Sequence, residues 1–293
     1  MAIKIEMLRC FSVVAQVGNL SEAAQRLGRT QSAISMTLKQ LEEHLGQRLF
    51  EGERKNSLTG LGQQVFELAQ IQLRQFDDTI KTIETSAQAP RGLIRIASIP
   101  SVAGLVFPSA IETMTRRHPQ LMIELRDTDT QQVIDALFQG QADLGVVSGE
   151  HVLNGIRNLP LFDDEFGLIC APDHPLALQR DTPDLADVMA AGFVMNALCN
   201  QIETRDFRAA FGECNVTVHN TLSLISMVHT RNWVTILPRS VAHLTPHDLR
   251  FRQIRGLHDR RQVHLLLRER SQFKELASEL ADLVKHFDWE KKV

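Results

Sequence analysis

A series of short polar side chains at helical spacing gives this chain its clearest chemistry. The series offers amide, hydroxyl and thioether groups and ends in a cation: Gln31, Ser32, Ser35, Met36 and Lys39. Such groups can contact base edges in the major groove of double-stranded DNA. Apolar residues recur on the opposite side at steps of four, three and four: Ile34, Leu38, Leu41 and Leu45. An ordinary helical hairpin with a solvated face is the alternative.

The neighbouring segments supply the other elements of a winged helix-turn-helix. Ser21 can cap a first helix that Gly28 ends. Thr30 can cap the second helix, which carries the polar series described above. An amphipathic helix lies upstream, and a polar, basic hairpin tip at 53–57 is suited to the phosphate backbone. We therefore predict a DNA-binding set: Ser21, Arg29, Thr30, Gln31, Ser32, Ser35, Met36, Lys39, Arg54 and Lys55.

A long helix is predicted after the wing, because no proline occurs between Leu61 and Thr85. Apolar residues recur there at steps of four and three, close to a heptad seam: Val65, Ala69, Leu73, Phe76, Ile80 and Ile83. This spacing favours two paired helices, and a helix packed on its own domain is the alternative.

Beyond residue 92 the pattern changes to alternating strands and helices, which indicates two α/β lobes joined by crossing strands. Ligands of such sheets bind beyond the carboxyl ends of the strands, against helix N-termini. Small polar side chains at these positions suit a small, anionic metabolite. They form the predicted effector-binding set: Ser98, Ser101, Thr128, Ser148, Asn196, Cys199 and Asn200. The acidic run at 163–165 is interpreted as solvating a crossing loop.

Composition limits the function further. The net charge is −3, whereas residues 1–62 carry eight Lys or Arg and six Asp or Glu. With so few cations, one DNA-binding domain should bind DNA weakly, and two or more should have to act together. We find no membrane-length apolar run, no signal peptide and no CxxC spacing, which favours a reducing cytoplasm. Scattered histidines predict no metal site, and missing nucleophile, phosphate-binding and dinucleotide motifs predict no enzyme.

Residues 5–62 resemble the DNA-binding domain of the LysR-type transcriptional regulators, a bacterial family. The similarity is carried by residues at fixed spacing: Leu8, Phe11, Ala23, Ala24, Leu27, Gln31, Ala33, Ser35, Leu41, Glu42, Leu45, Gly46, Leu49, Phe50, Leu58, Thr59 and Gly62. The rest of the chain resembles the family's effector-binding domain, which is similar to periplasmic solute-binding proteins. Ser32 and Met36 depart from the pattern, where the family often has proline and arginine.

The resemblance implies three parts: a winged helix-turn-helix (1–62), a linker and dimerisation helix (63–89) and a two-lobe α/β effector domain (90–293). Lobe I would comprise about 90–163 and 267–293, and lobe II about 164–266. It also implies a homodimer through the linker helix, assembled into a tetramer on DNA with interrupted dyad symmetry. A small-molecule effector, with no cofactor, would control DNA spacing and bending, and RNA polymerase is a candidate partner.

Two alternatives stay open. Some relatives sense peroxide through a cysteine, and Cys199 is predicted in a loop before a helix, whose dipole could lower the thiol pKa, with Cys214 beyond that helix. The second half alone would also suit a solute-binding protein, against which the DNA-binding head and the missing signal peptide both argue.

Overall fold

The computed structural model describes residues 2–52, 55–88, 92–212, 214–244 and 249–289. The chain divides into two compact units, Met1–Gln88 and Ala89–Val293. Among the described residues, no helix is both long and apolar enough to cross a membrane.

The first unit is a small helical head followed by a long helix. Its helices are α1 (Ile5–Val17), α2 (Leu20–Leu27), α3 (Gln31–Leu45) and α4 (Gly60–Gln88). An antiparallel bridge between Phe50 and Leu58 forms the base of the wing. The inner sides of α1, α2 and α3 bury one apolar cluster, in which the Phe11 and Phe50 rings meet edge to face at 5.5 Å. This contact fixes the wing base against α1.

The ends of α2 and α3 follow local hydrogen-bonding chemistry. Gly28 ends α2 in the left-handed conformation at φ 62°, and the Thr30 hydroxyl accepts from the Ala33 amide at 3.3 Å, so both predictions are confirmed. The predicted cap at Ser21 is wrong. Asn19 caps α2 instead, because its Oδ1 accepts from the Glu22 amide at 2.7 Å, and Ser21 lies inside the first turn.

Helix α4 changes its surroundings along its length. Ala69 and Leu73 are buried within the first unit, and Arg9 of α1 forms an ion pair with Asp77. Farther along, Phe76, Ile80 and Ile83 are exposed by 37%, 38% and 59%. The first part of the predicted apolar series therefore packs against the helical head of the same chain, and the last part is exposed to solvent.

The second unit contains a sheet in the order β2-β1-β3-β7-β4-β5, with β6 paired to β4. Strands β1, β2 and β3 are parallel, and β7 runs antiparallel to both β3 and β4. The strand bounds are β1 (Leu93–Ser98), β2 (Met122–Asp127), β3 (Leu144–Ser148), β4 (Ile156–Cys170), β5 (Thr235–Pro238), β6 (Arg250–Arg252) and β7 (Arg260–Arg268).

Helices pack against this sheet, and together they form two lobes. They are α5 (Pro100–Leu105), α6 (Phe107–Arg117), α7 (Thr130–Phe138), α8 (Pro175–Leu178), α9 (Leu185–Ala190), a 3-10 helix (Ala197–Gln201), α10 (Arg205–Phe211), α11 (Thr221–His229), α12 (Arg239–Ala242) and α13 (Lys274–Lys285). The strands predicted near 193–196 and 216–220 are single bridges only, from Phe193 to Val234 and from Met195 to Thr217. These segments therefore do not extend the sheet.

Strands β4 and β7 are the long connections between the lobes. They pair over most of β7, and a register shift between Pro160 and Phe162 leaves Leu161 as an extra residue, a β-bulge. Val263 and Leu265 of β7 pack in the core that contains Phe107, Met114 and Leu280. The chain was predicted to return from lobe II to lobe I at about residue 267. In the structure it returns earlier, because β7 already pairs with β3 of lobe I along 263–267.

Replacing Asn19 by alanine removes the α2 cap and should cost about 1 kcal/mol. We expect amide protection in α2 to fall about fivefold in hydrogen–deuterium exchange of the full chain. Ser21→Ala is the matched control, since the serine is exposed and makes no capping bond in the described structure. Equal losses in the two variants would contradict the assignment of the cap.

Candidate nucleic-acid interface and interlobe cleft

One side of α3 is free of protein contacts that would hide it. Gln31, Ser32, Ser35, Met36 and Lys39 are all exposed, whereas Ile34, Leu38 and Leu41 are buried beneath them. The exposed series and the preceding Arg29 and Thr30 together form what we call the reading face. Met36 presents a thioether that is 60% exposed. A helix with this division can enter a major groove without disturbing its own core.

Acidic neighbours hold the cations of the predicted DNA-binding set. The Arg29 guanidinium lies 3.0 Å from the Glu6 carboxylate, and the Lys39 ammonium lies 3.7 Å from that of Glu43. Each pair would have to exchange its acid for a phosphate on binding DNA. Phosphate contacts provide most non-specific affinity, so we expect one head to bind DNA weakly.

Lys55 is also paired, at 3.8 Å from Glu42, and its ammonium lies 5.0 Å from the centre of the Phe50 ring. Glu42 accepts the Leu49 amide at 2.8 Å as well, so this lysine helps to attach the wing base to α3. Arg54 lies outside the described residues. The DNA contacts of Ser21, Lys55 and Arg54 stay predictions, as do those of the reading face.

A cleft of about 560 Å³ lies between the two lobes of the second unit. Its walls come from the starts of α5, α7 and α11 and from β7. The described lining residues are Ile99, Pro100, Ser101, Asp127, Thr128, Asp129, Thr130, Gln131, Gln132, Ala197, Leu198, Gln201, His219, Asn220, Thr221, Val241 and Arg261. Of the predicted effector-binding set, Ser101 and Thr128 line this cleft.

The other predicted polar residues do not line the cleft. The buried Ser98 hydroxyl donates to the Ile99 carbonyl at 3.1 Å, and the Ser148 side chain is buried. Asn196 is buried, donates to Thr235 Oγ1 and the Ile236 carbonyl at 2.9 Å each, and accepts from the Leu198 amide. Asn200 is exposed and is not among the lining residues. Of these polar side chains, Ser98 and Asn196 brace the backbone, and as many, Ser101 and Thr128, line the cleft.

Sequence reasoning missed the most buried charge of the cleft, Arg261 on β7. Its Nη2 donates to Asp164 Oδ2 at 2.7 Å, to Ser101 Oγ at 3.0 Å and to Ser240 Oγ at 3.1 Å. Asp164 faces it in register on β4 and also accepts from the Ser240 amide and hydroxyl. Burial lowers the pKa of the guanidinium, and the adjacent carboxylate acts in the opposite direction.

The interpretation of 163–165 as a solvated loop is wrong. Asp164 has no exposed surface, and Glu165 forms an ion pair with Arg239. The signal in the sequence was a charged residue at 261 next to the apolar run of β7, together with an acid in the strand that pairs with it. Register was needed to bring the two together, and neither segment reveals register by itself.

Cys199 is not the accessible thiol that its predicted position indicated. It lies within the 3-10 helix and is fully buried in the core of lobe II. Its Sγ donates a hydrogen bond to the Ile236 carbonyl at 3.7 Å. Burial raises the pKa of the thiol to about 12, and this outweighs a lowering hydrogen bond from Asn196. The dipole argument fails because desolvation disfavours the thiolate more than local amides favour it.

Among the described residues, no group of three or more His, Cys, Asp or Glu side chains is arranged to hold a metal ion. The cleft offers hydroxyls, amides, the carboxylates of Asp127 and Asp129 and one buried guanidinium, which are groups that bind a polar small molecule.

Removing the acid that pairs with Lys39 should strengthen DNA binding. We expect Glu43→Gln to raise affinity for a DNA duplex about two- to fivefold, because an exposed pair is weak and the free lysine can contact phosphate. Fluorescence anisotropy at several salt concentrations measures it.

Glu112→Gln is the matched control, since Glu112 and Arg116 form an exposed pair with the same spacing and a 3.8 Å separation, in the second unit. An equal gain in both variants, or no gain at Glu43, would refute a phosphate contact by Lys39.

Comparison with known proteins agrees with this architecture. The chain is 29% identical to a "Probable hydrogen peroxide-inducible genes activator" of Mycobacterium leprae, over 80% of this chain and 78% of that protein. It is 28% identical to the "HTH-type transcriptional regulator DgdR" of Burkholderia cepacia, over 85% and 81%. Among solved structures, full-length CbnR complexed with its target DNA shares the fold, with a TM-score of 0.63, 20% identity and 96% and 99% coverage.

Two family models match complementary parts of the chain. Residues 5–63 match the bacterial regulatory helix-turn-helix protein, lysR family, and residues 87–288 match the LysR substrate binding domain. The chain therefore belongs to the LysR family of DNA-binding transcriptional regulators, which carry an effector-binding domain.

Proposed function

We propose that the protein regulates transcription from the bacterial cytoplasm by placing two or more reading faces on DNA of interrupted dyad symmetry, in response to a small molecule bound in the interlobe cleft. The observation that carries this proposal is the reading face itself, in which five side chains stand exposed above a buried apolar stripe. The solved complex of CbnR with its target DNA supports the same use of the head.

Pairing of heads follows from the weakness of one head. Three cations of the predicted DNA-binding set are held by acids, so affinity has to come from several heads on one site. Phe76, Ile80 and Ile83 give α4 an exposed apolar seam at helical spacing, which a second copy can cover. We propose a dimer through this seam, assembled into a tetramer, with 1–62, 63–89 and 90–293 as its functional parts.

Control by the effector follows from the crossing strands. A molecule between the lobes contacts α5 and α7 on one side and α11 on the other, so it favours one angle between the lobes over another. A changed lobe angle would alter how dimers pack, and thereby the spacing of the heads and the bend of the DNA.

The proposal includes no catalytic step. The Ser101 hydroxyl accepts from Arg261, and the Thr128 hydroxyl donates to the Gln132 side chain at 2.7 Å. An arginine and an amide are not general bases, so these partners position the hydroxyls for binding.

Alanine at Gln31 tests the reading face. We expect Gln31→Ala to lose about five- to 150-fold in affinity for the specific site, with non-specific binding unchanged, because a bidentate amide–base contact discriminates by about 1–3 kcal/mol. Binding is measured on the protected DNA upstream of the protein's own coding region, against a scrambled duplex.

Gln63→Ala, an exposed glutamine on α4 that bonds Glu67 at 2.8 Å, is the control and should bind like the wild type. A nuclease footprint of the wild type should show two half-sites related by a dyad. Retained specificity in Gln31→Ala, or a footprint of a single half-site, would count against the proposal.

Thiol sensing of peroxide is the second candidate, and the named activity of the Mycobacterium leprae relative favours it. Its difficulty is chemical. Burial raises the pKa of this thiol far above neutral pH, and the thiolate is the form that peroxide oxidises.

Cys199 should therefore be inert in the folded protein. We expect no maleimide or peroxide adduct at this residue by mass spectrometry of the native chain, complete labelling in urea, and an unchanged footprint for Cys199→Ser. Cys214, which is only partly buried, is the internal comparison. Rapid oxidation of native Cys199 would restore the sensing hypothesis.

A further inference from the structure

The charged side chains of the interlobe cleft do not match a simple anion. Asp127 and Asp129 both line it, and Arg261 is the one arginine or lysine among its described lining residues. The arginine charge is already balanced by Asp164, which lies 2.7 Å away and has no exposed surface. The charges presented to a ligand are therefore mainly those of the two carboxylates.

The two carboxylates differ in what they already bind. Asp129 caps α7, since Oδ1 accepts from the Gln132 amide at 2.9 Å and Oδ2 from the Gln132 side chain at 2.8 Å. Asp127, at the end of β2, is exposed, and its carboxylate has no hydrogen bond or ion pair in the described part of the chain. Its carboxylate is available to a cationic group, and it repels an anion.

Arg261, in contrast, offers hydrogen-bond donors that suit a negatively charged or carbonyl group. All three of its hydrogen bonds use Nη2, and its buried Nε has no partner among the described residues. Ser101 Oγ accepts one of those bonds, so its own proton remains for another acceptor. Arg261 is 3% exposed, which makes it a fixed donor at the back of the cleft. A carboxylate or carbonyl oxygen is the group that these donors bind.

We propose that the effector is a small zwitterion of the α-amino acid class, with its carboxylate on Arg261 and Ser101 and its ammonium towards Asp127 and Asp129. This inference rests on the proposed function, because it takes the cleft as the effector site. A dicarboxylate would place a second negative charge near the aspartates. A plain amine would leave the donors of Arg261 and Ser101 without an acceptor.

The test is a thermal-shift and calorimetric screen of the full-length protein against the twenty proteinogenic amino acids at millimolar concentration. Each amino acid that raises Tm is compared with its own deaminated carboxylate and decarboxylated amine. We expect at least one amino acid to raise Tm by a few degrees, since ligand binding stabilises the folded state, and both truncated analogues to bind at least tenfold more weakly.

Three variants assign the contacts. Asp127→Asn and Ser101→Ala should each weaken the amino acid about tenfold or more, whereas Asp135→Asn, an exposed aspartate on α7 outside the cleft, should leave binding unchanged. Asp127→Asn should also reduce the preference over the deaminated carboxylate. These variants keep the buried pair of Arg261 and Asp164 intact, so loss of folding does not obscure the result.

Two outcomes overturn the inference. One is that no amino acid raises Tm, and the other is that a deaminated carboxylate binds as tightly as its parent amino acid. Neither outcome touches DNA recognition, which the footprint of the wild type decides separately. A carboxylate that binds the cleft and changes the footprint would leave the proposed function in place and exclude the zwitterion.

Discussion

The buried ion pair of Arg261 and Asp164 is the contact on which the second unit depends. The two residues face each other on the strands that connect the lobes, and the arginine also reaches Ser101 and Ser240. Removing one partner of such a pair leaves a buried charge uncompensated, at a cost of about 3–5 kcal/mol. The pair therefore fixes the register of the crossing strands at the point where the cleft begins, and it gives the cleft a rigid donor.

The head of the molecule shows the opposite use of charge. The Arg29–Glu6 and Lys39–Glu43 pairs are exposed, whereas the Lys55–Glu42 pair is partly buried. Exposed pairs contribute little stability, so their exchange is inexpensive. We therefore expect the reading face to bind any single DNA segment weakly, and we propose that regulation acts on the arrangement of several heads.

Much of this could be predicted from the sequence. The stripe at Ile34, Leu38 and Leu41 identified the buried side of α3, and Gly28 and Thr30 marked the turn before it, because these signals are local. The helix-capping error at Ser21 was also local, since Asn19 and Ser21 lie two positions apart, either could cap, and only Asn19 takes the cap.

The cleft was harder to predict because its chemistry depends on register and on long-range contacts. Ser101 and Thr128 were found by the rule for strand ends, but the same rule also selected Ser98 and Asn196, whose side chains brace the backbone. Arg261 and Asp164 are 97 residues apart, and no local pattern joins them. Cys199 shows the same difficulty, as burial set by Ile236 and its neighbours decides the thiol chemistry.

The β-bulge at Leu161 has a mechanical consequence. Pro160 has no amide hydrogen to contribute to the ladder, and the extra residue beside it bends the strand. The bend lies within lobe I, because Leu159, Leu161 and Phe162 all pack against the core of that lobe. Beyond it, β4 stays paired with β7 from Phe162 to Glu165, so the bulge shapes the lobe I side of the crossing strand.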